Sequence, residues 1–240
     1  MKKLLIVLFA FASTKSFAQK WETIKGNGQI KTETRQVNTF TSLTSQGSMN
    51  VEISYGSSNS LTIEADENLL PYIETTVEDG KLTIKPKKNV NLKSTSRMVV
   101  HVSMTKVKSL KLSGSGNMNG NGSFTNDDKT DVSVSGSGNL NFKFDTFKDL
   151  DIAVSGSGNI DLKGNATNSI TAQISGSGNI DCSGIRSNDV DAKISGSGNV
   201  KVYAQNSIDA KISGSGNVFY KGDALKISSK VAGSGKVLKM

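Results

Sequence analysis

Four aspartates recur at near-even spacing in the second half of the chain: Asp131, Asp151, Asp191 and Asp209, with Thr171 in the middle place. Carboxylates stacked on one face could hold a hard cation such as Ca²⁺, which takes oxygen ligands. The preferred reading of the same row is a solvated ladder balanced by lysine, because like charges side by side repel. Lys193 and Lys211, two residues along from Asp191 and Asp209, are the candidates for that balance. Asp161 and Asp181 form a second equivalent pair, and paired carboxylates are the machinery of glycoside hydrolysis. A lyase or hydrolase would also need a cleft with a basic residue or a cation. The chain has three arginines, Arg35, Arg97 and Arg186, the last of them alone in a polar stretch. Repetition accounts for the alignment of Asp161 and Asp181 without any catalysis.

The other reactive side chains are few. His101 is the single histidine; Met98, Val100, Val102 and Met104 alternate on one strand face and leave it on the other. Metal centres collect several His or Cys ligands, and a serine triad needs an orienting acid and a nucleophile in a cleft. Cys182 is the single cysteine, so no intramolecular disulfide forms, and its place in an apolar column makes it a small buried hydrophobe. No catalytic residue and no cofactor is expected.

The most repeated chemistry is Ser-Gly-Ser-Gly-Asn, which starts at Ser113, Ser135, Ser155, Ser175, Ser195 and Ser213. A phosphate-cradling glycine loop requires a strand-to-helix context with a lysine or a dinucleotide fingerprint. Neither is present. A calcium-binding nonapeptide repeat requires Gly-x-Asp, whereas Gly158-Asn159-Ile160 puts an apolar residue in the ligand position. The motif is therefore a structural corner, carried by Gly114, Gly116 and Asn117, Gly136, Gly138 and Asn139, and Gly156, Gly158 and Asn159. Gly176, Gly178 and Asn179, Gly196, Gly198 and Asn199, and Gly214, Gly216 and Asn217 complete the series.

The elements around these corners follow from periodicity. Successive copies lie 22, 20, 20, 20 and 18 residues apart, with a degenerate seventh copy at Ala232–Lys236. The flanks alternate with period two, the spacing of a strand. Leu112, Val134, Val154, Ile174, Ile194, Ile212 and Val231 precede the first serine, and Leu110, Val132, Ile152, Ala172, Ala192 and Ala210 stand two residues earlier. Leu150, Ile170, Val190, Ile208 and Ile227 continue the pattern backwards; Met118, Leu140, Ile160, Ile180, Val200 and Val218 continue it forwards. All share the parity of the glycines, so the glycines are expected to point inward at a bend too sharp for a Cβ.

The prediction is an all-β fold: a right-handed parallel β-helix, or solenoid, of about 20-residue coils with GSGN corners. A β-rich section over residues 19–105 precedes the coils of 106–240 and caps them, the two together forming one domain. Within it Asp79-Gly80 is a hairpin signal, and Gln46–Val51 is an eroded copy of the corner. The last coil carries Lys221, Lys226, Lys230, Lys236 and Lys239 against Asp223 alone, a pattern that blocks end-to-end strand pairing or meets an anionic lipid or glycan.

Residues 1–18 have the form of a signal peptide: Lys2 and Lys3, an apolar run from Leu4 to Ala12, and Ser16-Phe17-Ala18 before a cleavage point at Gln19. No second apolar stretch approaches membrane length, so no transmembrane segment is expected. Losing Lys2, Lys3 and Lys15 with the leader takes the formal charge from +8 to +5. The remaining lysines are dispersed, which, with export, argues against nucleic acid.

Gly28-Gln29-Ile30 with Arg35 and Phe40, the central Asp79–Ile84 segment and the serial Gly-Ser-Gly-Asn-(Ile/Val) corners resemble the putative auto-transporter adhesin, head GIN domain family. The resemblance spans nearly all of the chain after the leader. It implies a β-helix-like exported envelope protein acting in adhesion or surface binding, with no catalytic residues to transfer. The expected function is non-enzymatic binding of glycans, cell-wall polymer or other envelope polymers, by a monomer or weak homo-oligomer in the periplasm, at the outer surface or secreted. A lipid-binding protein is the alternative, requiring an exposed apolar groove; a β-helix carbohydrate lyase or hydrolase is the enzymatic one.

Overall fold

Alternation gives each strand one aliphatic side, and the architecture is the means by which those sides are buried together. The computed structural model describes residues 21–122 and 124–240; the expected leader lies outside them. Strand makes up 71% and helix about 1%, so the core is sheet against sheet, in a β-solenoid of about 6 turns.

Each coil gives one strand to each of two main parallel sheets. The first contains Ser109–Gly114, Thr125–Gly136, Thr146–Gly156 and Ala166–Gly176, each ending at a corner. The second starts after the corner, with Asn117–Asn121, Asn139–Lys143 and Asn159–Lys163. In later coils the chain stays in strand through the return segment, as Asn179–Gly196 and Asn199–Gly214. Pairing is residue for residue: Val132 on Ile152, Ile152 on Ala172, Ala172 on Ala192, Ala192 on Ala210. This column is buried throughout. It shrinks from Leu, Val and Ile to Ala along the stack, the change from Ile152 to Ala172 falling within coils of equal length. At the wide end Phe124, Phe142, Phe144 and Phe147 fill the space in sequence, their ring centroids 5.0, 4.5 and 5.2 Å apart.

The strands break at these glycines, and the need for glycine has two causes, the backbone of the bend and the coil beneath it. A Cβ on Gly136 would lie 2.5 Å from the Gly114 oxygen, and one on Gly138 would lie 2.3 Å from the Gly116 oxygen. The obstruction is the preceding coil, not the bend of the coil itself. The first glycine also has positive φ, +118° at Gly136. Its geometry lets one carbonyl serve two donors: Ser137 and Gly138 both give their main-chain N–H to the Gly114 oxygen at 3.0 Å.

Gln46–Val51 is a corner of the same stack. Ser42–Gly47 pairs in parallel with Ser109–Gly114, setting Gly47 beside Gly114, and Val51 lies beside Met118. Beyond that coil Lys81–Pro86 and Val99–Met104 still pair with it in parallel, and antiparallel strands then end the stack. Ile73–Glu78 folds back on Lys81–Pro86 through Asp79 and Gly80, both at positive φ. On the other sheet Ser60–Asp66 pairs antiparallel with Val99–Met104, and Ile30–Arg35 lies outside it. Reversed strands cover an edge that would otherwise accept another coil.

Two polar anchors hold this section. Arg35 donates through Nη1 to the Ile73 carbonyl at 2.6 Å and through Nη2 to the Leu70 carbonyl at 2.9 Å, tying the two hairpin systems together. Asp66, fully buried, accepts from the Gly28 N–H at 2.7 Å, from the Thr95 hydroxyl at 2.6 Å and from Ser94. Ile227 and Val231, assigned by parity to inward columns, are corrected: they are 53% and 43% exposed, because no strand of the described chain stacks beyond them.

Candidate functional site

Parallel stacking turns each outward position into a row with a spacing of about 4.8 Å between coils. Two such faces result, one on each sheet.

On the first face the row Lys111, Ser133, Ala153, Gln173, Lys193, Lys211 and Lys230 runs beside the row of corner serines. Between them lies a trough of about 700 Å³ reaching from Ala153 to Ala232. Its floor is formed by the strands carrying Ile174, Ile194 and Ile212, whose side chains are buried in the core, and its last coil adds the half-exposed Val231.

The acidic ladder borders it. Asp131 pairs with Asp151, Asp151 with Thr171, Thr171 with Asp191, and Asp191 with Asp209. Most of these carboxylates already have a cation. Lys129 contacts Asp151, Lys193 Nζ is 3.2 Å from Asp191 Oδ2, and Lys211 Nζ is 2.9 Å from Asp209 Oδ2. The Lys211 hydrogen bond, aided by its charge, holds the Asp209 carboxyl below the ordinary range, and Asp209 raises Lys211 in return. Among the described residues no group of three or more His, Cys, Asp or Glu comes together to hold a metal.

On the second face the corner asparagines bond to one another coil by coil. Asn139 Nδ2 donates to Asn117 Oδ1 at 3.0 Å, Asn159 to Asn139 at 2.8 Å, Asn179 to Asn159 at 2.9 Å and Asn199 to Asn179 at 3.1 Å. The ladder begins at Asn50, which accepts from Asn117 at 3.0 Å, and ends where Asn217 accepts the Lys236 N–H at 3.1 Å. Each amide has two donors and spends one on its neighbour, so a second N–H per coil faces outward.

Beside the ladder runs a row that changes character: Asn119, Asn141, Asp161, Asp181, Lys201, Phe219 and Leu238. Between the two rows is a hollow of about 450 Å³ where Asp161, Asp181, Asn179, Asn199 and Lys201 meet Phe219. Asp181 accepts from the Ser183 hydroxyl at 2.8 Å, and Lys201 Nζ lies 3.6 Å from its other oxygen. A second hollow of about 500 Å³ shares Asp161 and Asp181 and is completed by Lys143, Asp145, Lys163 and Asn165 of the return segments.

The trough is the larger space, but two of its lysines, Lys193 and Lys211, are already paired with Asp191 and Asp209 of the neighbouring row. The asparagine-face hollow is smaller and more varied: free amide donors, carboxylates, an ammonium and an aromatic ring. That set suits a ligand with many hydroxyls and an apolar ring face. Asp161 and Asp181 were legible in the sequence; Lys201 and Phe219 were not singled out, although the parity that sends Val202 and Tyr220 inward sends both of them outward. His101 is exposed and stands apart from both hollows' linings. Cys182 is buried, and desolvation pushes its thiol far up, with Asp181 and Asp161 adding to the shift.

Comparisons with known proteins agree with this architecture. The family model for the putative auto-transporter adhesin, head GIN domain, matches residues 39–224. No curated protein matches. A putative adhesin from Bacteroides fragilis is 23% identical with a TM-score of 0.84, over 90% of this chain and 100% of that one. A putative lipid binding protein from Parabacteroides distasonis is 28% identical with a TM-score of 0.74, over 91% of this chain and 100% of that one. A putative adhesin from Parabacteroides merdae is also 28% identical, with a TM-score of 0.70, over 91% and 99%.

Proposed function

Because the chain belongs to the putative auto-transporter adhesin, head GIN domain family, we propose that it is a non-catalytic binding protein of the cell envelope that holds a glycan or other envelope polymer along its asparagine face. The observation that carries this reading is the hollow that Asp161, Asp181, Asn179, Asn199 and Lys201 line together with Phe219. Hydroxyl groups pair well with amides and carboxylates, and an aromatic ring offers an apolar platform beside them. The ladder extends the same donors over neighbouring coils, which suits a polymer better than a single small molecule.

Export through the leader at residues 1–18, and a place in the periplasm or at the outer surface, complete the proposal. Its single domain would be the solenoid with its N-terminal cap, residues 19–240. Among the described residues no helix is long and apolar enough to cross a membrane.

The test is binding of the purified protein to a panel of envelope polysaccharides and cell-wall polymer, with Phe219→Ala and the double variant Asp161→Asn, Asp181→Asn beside it. One ligand class bound by the parent chain and weakened about tenfold by each variant is expected, about 1.4 kcal/mol of contact in each case. Absence of binding to every polymer, or binding indifferent to both variants, sinks the proposal. A lipid reading, suggested by the Parabacteroides distasonis relative, would place its ligand in the trough bounded by Ala153, Val231 and Ala232 rather than in these hollows, where carboxylates and ammonium groups stand.

A further inference from the structure

Of the eight large apolar side chains that are exposed among the described residues, five lie in the last coil: Leu225, Ile227, Val231, Leu238 and Met240. Single exposed apolar residues are ordinary, but a concentration ringed by charge marks an interaction surface. Leu225 is 87% exposed, in the turn before the strand Lys226–Gly233, every residue of which is exposed. Lys221, Lys226, Lys230, Lys236 and Lys239 share the coil with one acid, Asp223, which Lys239 contacts at 3.1 Å. The coil therefore joins exposed aliphatic side chains to an excess of ammonium groups.

We propose that this coil docks the protein end-on to an anionic lipid surface. Leu225, Ile227 and Met240 enter the boundary between headgroups and acyl chains, while Lys221, Lys226, Lys230 and Lys236 meet lipid phosphates. Basic residues beside exposed apolar ones are what hold a peripheral element in that layer. Charge decides against a second copy of the chain as the occupant, because two such ends would bring lysine against lysine. Depth is limited by the backbone: the edge strands Lys226–Gly233 and Lys236–Lys239 have main-chain groups with no strand of the described chain beyond them, and these need water or headgroups rather than hydrocarbon. Docked in this way, the solenoid stands with its serine and asparagine faces rising from the lipid, which they meet only at their last-coil members Lys230 and Lys236. The proposal is independent of the polymer reading, since its variants touch neither hollow.

Co-sedimentation of the full chain with vesicles tests it, using phosphatidylcholine alone and phosphatidylcholine mixed with phosphatidylglycerol. Binding is expected on the anionic vesicles only, weakening as salt is raised. Lys226→Gln and Lys230→Gln should each reduce partitioning about fivefold, and Leu225→Ser about tenfold. All three positions are exposed, and unchanged thermal unfolding would show that the variants fold. Equal binding to both vesicle types, binding to neither, or anionic binding that the variants leave unchanged overturns the proposal. So does a dimer in sedimentation equilibrium that Leu225→Ser converts to monomer, which would assign the coil to a second copy.

Discussion

A Cβ built on Gly178 would lie 2.0 Å from the main-chain oxygen of Gly158, the equivalent residue one coil earlier. No side-chain adjustment can relieve that contact, because the neighbour is backbone. Gly178→Ala should therefore cost about 3 kcal/mol or more, at the upper end of overpacking penalties. Gly184, in a return segment with open space within 4 Å of where a Cβ would stand, supplies the control. Gly184→Ala should shift stability by less than about 0.5 kcal/mol. Urea unfolding midpoints decide the matter, and equal effects at the two sites would refute the stacking argument.

The asparagine ladder contributes less per residue, because it is exposed. Asn159→Ala removes the bond given to Asn139 at 2.8 Å and the bond received from Asn179 at 2.9 Å. A loss of about 1–2 kcal/mol is expected for two neutral hydrogen bonds, nearer the lower figure where water can replace them. Thermal unfolding of Asn159→Ala against the parent chain measures it.

Asp66 makes stability depend on pH. Burial alone would lift its carboxyl, but the Ser94 and Thr95 hydroxyls and the Gly28 and Thr95 main-chain N–H groups outweigh burial and hold it well below the usual range. The folded value lies below the unfolded one of about 3.9. The associated stability is thus present above that value and drains away as pH falls through the folded one. The gap in unfolding midpoint between the parent chain and Asp66→Asn should be wide near neutrality and narrow in acid. A gap constant with pH would show that the ionised form is not what the donors hold.

The acidic ladder is expected to prefer its lysines to a cation. Calcium added in excess over a chelator control should leave the unfolding temperature unchanged, since Asp191 and Asp209 are already paired with Lys193 and Lys211. A calcium-dependent rise that Asp191→Asn abolishes would make the ladder a metal site.

Processing is checked directly. If the proposed leader is removed, N-terminal sequencing of the protein recovered from cells should begin at Gln19, after Ser16-Phe17-Ala18. A start at Met1 in an exported, membrane-held form would mean that the apolar run is kept as an anchor.

Much of this molecule could be read without coordinates because the repeat writes the same local instruction in every coil. Alternation of Val132 and Val134, and of Ala172 and Ile174, with polar neighbours specifies which side of a strand is buried, and that is a property of near neighbours in the chain. The Asp79-Gly80 turn and the eroded corner at Gly47 were legible for the same reason: each is a short stretch with its own backbone demand. Asp66 was not. Its donors come from residues 28, 94 and 95, far apart in sequence and outside any repeat.

By itself the sequence determined the strands, the corners, the coil length and the inward columns, since all of these follow from periodicity along one chain segment. Tertiary structure decided what lies beside what. Only the stacking of Gly136 on Gly114 shows that glycine is demanded by the coil beneath as well as by the positive φ of the bend. Only the register of Asp181, Lys201 and Phe219 on successive coils brings those three residues into one hollow. Only exposure separates Ile227 from Ile208, two members of one sequence column, one of them covered by the next strand and the other not. Periodicity specifies direction within a coil; contact between coils arises from the packing of backbone on backbone, which no single repeat contains.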